Sequence, residues 1–151
     1  MIDLSAFHQA REMAVAYIGI DYSKSSGKVR DNLRKKGVAD VLAEQVIEYL
    51  KSIDYINDHR AARRVARRYE GRRLRSRRAM VYVFIQNGID FDIANDEANR
   101  LPDDCETALQ LCEATFSERE DVEDVDIMKL LTRRGYHTTI AREVIRKFKK
   151  T

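Results

Sequence analysis

The chain has 151 residues, 44% apolar and 35% charged, with one proline, six glycines and no tryptophan; this is the composition of a packed helical protein and excludes a disordered one. Lys and Arg number 28 against 25 Asp and Glu, a net charge of +3, which excludes a general polycation and makes any basicity local. No stretch has the apolar length of a signal-peptide core or a membrane span, so a soluble, cytoplasmic protein in a reducing compartment is expected.

In chain order, a first helix is expected over Ser5 to Ile20. A second ends at Gly37, preceded by Lys28, Arg30, Arg34, Lys35 and Lys36, and Asp54 to Asn57 forms a link. The next segment is an amphipathic helix from Asp58 to Tyr69, with Ala62, Val65, Ala66 and Tyr69 on its dry side and Arg60, Arg63, Arg64, Arg67 and Arg68 on its wet side. Gly71 punctuates it. A helix over Ser76 to Asn87 follows, burying Met80, Val81 and Phe84, turning Tyr82 and Val83 away, and closing on Gly88.

Leu101-Pro102-Asp103-Asp104, with the sole proline, makes the second link, and a helix over Asp103 to Phe116 comes next. Cys105 and Cys112 lie seven residues apart on it, roughly 10 Å along the axis, which is too far to pair. They read as buried small hydrophobes, and with His8, His59 and His137 scattered no metal site is expected. The acidic run Ser117 to Asp126 lacks the glycine and closing glutamate of a calcium loop and reads as a linker with helix-start acids. The closing segment, TRRGYHTTIAREVIRKFKK, carries a second, weaker basic face that includes Arg133 and Arg134.

Aligning Gly37, Gly88 and Gly135 exposes a repeat. Four residues before each stand Leu33, Phe84 and Leu131, and six after each stand Ala43, Ala94 and Ala141. Ten after come Ile47, Ala98 and Ile145. Each copy is a helix ended by a left-handed glycine, a tight corner and a second amphipathic helix, with another helix in front. The expected fold is all-α: three tandem three-helix, helix-turn-helix-like repeats over residues 1–54, 55–101 and 102–151, in an elongated, bent array. Units of this size are marginal alone and lean on their neighbours.

The second unit carries the functional signal. Ten of the nineteen residues from Arg60 to Arg78 are arginine, against the single acid Glu70. Like charges on adjacent turns repel by a few tenths of a kcal/mol per pair, so a purely structural role would favour mixed signs. Arginine forks match phosphate and carboxylate. The candidate partner- or nucleic-acid-binding residues are Arg60, Arg63, Arg64, Arg67, Arg68, Arg72, Arg73, Arg75, Arg77, Arg78, Arg133 and Arg134. Reversing charge at Arg63, Arg64 and Arg67 is expected to abolish binding with little loss of folding. No glycine-rich phosphate loop, metal spacing or nucleophile beside a base occurs, so no enzyme, cofactor or metal is expected.

Three short motifs resemble the RecX family of RecA regulators. Ser25, Val29, Leu33, Lys36 and Gly37 are similar to its serine, leucine and Lys-Gly spacing. Tyr55-Ile56-Asn57-Asp58, then Ala62 and the arginine run, resembles its acidic start of an Arg-rich helix, with Ala61 where the family usually has an aromatic residue. Leu130-Leu131-Thr132-Arg133-Arg134-Gly135-Tyr136, then Ile140 and Val144-Ile145, resembles its closing segment. The resemblance implies a monomeric, non-enzymatic modulator of the RecA filament on single-stranded DNA in recombination, repair and the SOS response, suppressing its ATPase, strand-exchange and coprotease activities. The alternative from the residues alone is a direct, largely nonspecific DNA-binding protein.

Overall fold

The computed structural model describes residues 3 to 150, and among them every regular element is helical. The helices are α1 (Leu4–Ile18), α2 (Ser26–Lys35), α3 (Asp40–Ser52), α4 (Asp58–Ala66), α5 (Arg77–Gln86), α6 (Phe91–Asn99), α7 (Asp104–Phe116), α8 (Asp124–Arg133) and α9 (Thr138–Lys150), with one 3-10 turn, Gly71–Arg73. Short polar residues start most of them. Asp3, Ser25, Asn57, Ser76, Asp90 and Asp103 each accept a backbone N–H of the first turn they precede, which satisfies donors a helix start would otherwise leave open.

The apolar residues gather into three clusters along the chain. The first includes Ala14, Val29, Leu33, Val46, Ile47 and Ile56. The second is built on Ala62, Met80, Val83, Phe84, Ala94 and Ala98. The third holds Ala108, Leu111, Cys112, Ile127, Leu131 and Val144. Tyr55 and Ile56 pack into the first cluster, and Leu74 packs against the third. The chain therefore hands a side chain across each link, and neighbouring clusters are tied together.

Four details depart from the sequence expectation. Helix α1 stops at Ile18, because Gly19 turns to φ +75° and returns its N–H to the Val15 carbonyl. Helix α4 stops at Ala66, not Tyr69: Arg68 and Tyr69 donate to the carbonyls of Val65 and Ala66 in tightened last-turn bonds. Val83 is buried, not outward, because Met80, Val83 and Phe84 form one stripe at i, i+3 and i+4, leaving Val81 on its edge; Tyr82 is exposed as expected. Cys112 is buried but Cys105 is only half-buried, beside the Glu143 carboxylate, and both thiols are free. The acidic run ends as read, with the Asp126 carboxylate accepting the Glu123 N–H at the start of α8.

Two junctions join the three clusters, and in both an aspartate at a helix start accepts the amide that follows a capping serine. At the first, Ser25 Oγ donates to the Asn87 carbonyl at 2.7 Å, the Gly27 amide donates to the Gly88 carbonyl at 2.9 Å, and the Ser26 amide donates to Asp58 at 2.7 Å. At the second, the Ser76 amide donates to the Arg134 carbonyl at 3.1 Å and the Arg77 amide to Asp104 at 2.9 Å. The start of one middle helix thus sits on the glycine corner of the next. Gly88, at φ +82°, has no room for a Cβ, which would strike Ser25 Oγ and come to 2.8 Å from the Lys28 amide nitrogen. At Gly135, φ +94°, it would meet Ser76 Oγ at 2.7 Å and Ala79 Cβ at 2.8 Å. Gly37 turns the same way with open space around it.

Candidate nucleic-acid and partner interface

The twelve candidate arginines divide into those the fold employs and those it leaves to solvent. Arg60 is a clasp: its guanidinium donates to the Tyr22 carbonyl at 2.7 Å, the Asp54 carbonyl at 2.9 Å and the Asp54 carboxylate at 3.1 Å. Arg63 meets the buried Glu97 at 3.2 Å, where His59 also approaches to 2.9 Å. Arg64 pairs with Asp21 at 3.0 Å. Arg77 donates through both Nε and Nη2 to the Leu101 carbonyl. Arg72 donates to the Ala114 carbonyl at 3.0 Å, and Arg134 to the Arg72 carbonyl at 2.7 Å.

Arg67, Arg68, Arg73, Arg78 and Arg133 are exposed, and none forms an ion pair among the described residues. Arg75 lies over the Tyr69 ring, 5.0 Å from its centroid. It also faces Arg134, whose guanidinium is held below its usual value by burial first, then by the charges of Arg75 and Arg133. The second junction therefore gathers Arg75, Arg133 and Arg134 from two parts of the sequence. Beside them, a cavity of about 430 Å³ opens between α4 and α7, walled by Ala66, Tyr69, Leu74, Met80 and Leu101, with arginines at its edges.

Sequence reasoning missed Lys24 and read Lys28 only as one of the basic residues before Gly37. Both meet Arg64 and Arg68 across the first junction, and a lysine pair four residues apart around Ser25-Ser26-Gly27 was the available signal. His59, Asp96 and Glu97 also converge, which scattered sequence positions hid. Their carboxylates are already met by Arg63 and Arg100, so the cluster is a closed salt-bridge network.

No family model matches the chain. Regulatory protein RecX of Clostridium perfringens, from strain 13 and from strain SM101, is in each case 26% identical over 134 residues, covering 82% of this chain and 61% of the relative. This chain thus spans about three-fifths of the length of the curated relatives it matches. The crystal structure of RecX from Lactobacillus salivarius superposes with a TM-score of 0.78 at 19% identity, covering 99% of this chain and 100% of that one, and so shares its fold. The chain resembles the RecX family.

The positions that carry the RecX-like motifs are mostly structural. Val29, Leu33 and Leu131 are fully buried, Ser25 caps α2, and Gly37 and Gly135 turn the corners. Ala61, where the family usually has an aromatic residue, is also buried, in the second cluster. Of the five unpaired arginines, Arg133 lies in the closing motif and the other four in the arginine run that follows the start of the second. No helix among the described residues is long and apolar enough to cross a membrane.

Proposed function

We propose that this chain regulates the RecA filament on single-stranded DNA, binding as a monomer in the cytoplasm and inhibiting the filament's ATPase, strand-exchange and coprotease activities. In this reading residues 1–54, 55–101 and 102–151 act as three linked units that lie along the filament, and no chemistry is performed by the chain itself. The carrying observation is the set of exposed arginines without acidic partners, Arg67, Arg68, Arg73, Arg78 and Arg133, on a RecX-like fold. Unpaired guanidinium groups favour a surface of acidic side chains and phosphates, where they steer encounter and fix orientation.

The test is the ATPase rate of RecA on single-stranded DNA, titrated with this chain, beside a gel shift of the same DNA without RecA. Inhibition well below the concentration that shifts bare DNA supports the reading. Inhibition only at DNA-saturating concentrations would replace it with direct DNA binding, a reading the gathered cations at both junctions favour; its mark is affinity that falls steeply with salt.

A further inference from the structure

The first junction holds a small polar notch that the fold does not require. Its volume is about 130 Å³, and its charged lining is Lys24, Lys28, Arg64 and Arg68 with one acid, Asp21. Asp21 is engaged by Arg64 at 3.0 Å. Four cations against one carboxylate leave a strong local excess of positive charge. Lys28 registers it: its ammonium is held below the ordinary lysine value by burial first, then by Arg68 and Lys24. Three backbone donors at the start of α2 are committed, Ser26 to Asp58, Gly27 to Gly88 and Lys28 to Ser25 Oγ. The charge that meets an anion here comes from the side chains.

The second junction supplies a control within the same molecule. Ser25 and Ser76 are equivalent helix caps, and Asp58 and Asp104 are equivalent acceptors of the following amide. Counting from them, Lys24, Lys28, Arg64 and Arg68 correspond to Arg75, Ala79, Gln110 and Ala114. The amide-to-aspartate bond forms there with neutral residues at three of the four positions. The cations of the first junction are not needed to close it, and by repelling one another they oppose it.

We propose that this notch is an anion site that takes one phosphate group, clamped by Lys24, Lys28 and Arg68 with Arg64 shared between the phosphate and Asp21. The flexible ammonium groups and planar guanidinium groups together can surround its oxygens with charge-assisted hydrogen bonds. The phosphate can come from a nucleic-acid backbone or from free phosphate. The site needs no recombinase, so its failure would leave the proposed regulation of RecA untouched.

The experiment uses the whole chain, with amide chemical shifts followed by NMR during separate titrations with inorganic phosphate and with a 15-nucleotide oligothymidylate. The amides of Lys28, Arg68 and Asn87 are expected to move together. Saturation by inorganic phosphate at concentrations that displace the oligonucleotide identifies a free-anion site; movement with the oligonucleotide alone identifies a backbone-phosphate site. Lys28→Ala with Arg68→Ala should weaken oligonucleotide binding about tenfold and reduce the slope of log affinity against log salt by about 0.7, one phosphate on a single strand. That variant copies the Ala79 and Ala114 of the second junction, so it is expected to fold, with helicity checked by circular dichroism. Lys28→Arg should retain binding. Lys129→Ala, which removes an exposed cation of α8, should leave the notch shifts in place. Notch amides that stay still in both titrations, or unchanged affinity and salt slope in the double alanine variant, would overturn the proposal.

Discussion

The two junctions share an amide-to-aspartate bond and surround it with different backbone contacts and different chemistry. At the first, Gly27 and Gly88 bring two backbones into direct contact, Asp58 is buried, and the rim is cationic. At the second, Arg78 replaces Gly27, Asp104 is half-buried, and the rim encloses a mainly apolar cavity. What is repeated joins the units, and what differs is available for binding. Substitutions that separate the shared scheme from the differing rims test this division.

The glycine corners should give the largest effects. Gly88→Ala forces a Cβ against backbone as well as Ser25 Oγ, at a positive φ that L residues rarely adopt. It should cost about 4 kcal/mol, by combined overpacking and backbone strain. Gly135→Ala meets only the side chains of Ser76 and Ala79 and should cost about 2 to 3 kcal/mol. Gly37→Ala keeps the strain but meets nothing, and should cost about 1 kcal/mol. Urea unfolding of the three variants reads the order; equal losses would show that the junctions add nothing beyond the left-handed turn.

The two aspartates come next. Asp58 accepts from the Ser26 amide and hydroxyl and from the Asp90 amide, so it links α2, α4 and the corner before α6. Asp58→Ala leaves three donors without their acceptor at a buried site and should cost about 3 kcal/mol. Asp104 accepts only the Arg77 amide in the hydrogen bonds of its junction, and Asp104→Ala should cost about 1 kcal/mol. The same unfolding series measures both, and equal costs would remove the distinction between a buried and a half-buried junction.

The residues of these junctions were partly legible in the sequence. The glycine register gave the corners and the stripes because a left-handed cap and a 3.6-residue period leave local marks. Asp58 and Asp104 carried no such mark, since an acid at a helix start is equally at home in solvent. The site was legible as a composition, an arginine-rich segment, but not residue by residue. Arg60, Arg63 and Arg77 are held by Asp54, Glu97 and the Leu101 carbonyl, partners 6, 34 and 24 residues away in sequence. Such pairings are set by packing, and a helical wheel cannot show which wet-face arginine has found an acid. Lys24 went unread, and Lys28 was read with the wrong neighbours, for the converse reason: their significance comes from Arg64 and Arg68, brought to them by the junction.

Alkaline pH should act on the third cluster in particular. Tyr136 donates or accepts a hydrogen bond with Thr107 Oγ1 at 2.8 Å, and burial pushes its phenol up to about 12 from an ordinary 10.0. Burial likewise pushes the Cys112 thiol up to about 11 from 9.0. Both groups keep their protons longer in the folded chain than in the unfolded one. Their contribution is therefore complete below about pH 9 and is lost as pH rises from 9 to 12. Between pH 8 and 11 the expected loss is roughly 3 to 4 kcal/mol. Tyr136→Phe should flatten the upper part of that decline, and an unchanged decline would place its cause outside this cluster.

The smallest pair of effects separates folding from binding on one helix and its following turn. Arg63→Glu places a second carboxylate beside the buried Glu97, leaving His59 and Arg100 to balance both. It should cost about 1 to 2 kcal/mol in stability. The sequence alone predicts that charge reversal at Arg63, Arg64 and Arg67 leaves folding nearly unchanged, and a loss of this size at Arg63 would count against that expectation. Arg67, exposed in the turn after α4 and free of any ion pair among the described residues, has no such partner to disturb. Arg67→Glu should change stability by under about 0.5 kcal/mol. Because it inverts a charge on the unpaired surface, it should still weaken the proposed inhibition of the RecA ATPase and flatten the salt dependence of binding. If Arg67→Glu destabilises as much as Arg63→Glu, the arginine surface is part of the fold's own electrostatics; if it leaves inhibition intact, the interface lies on the other unpaired arginines.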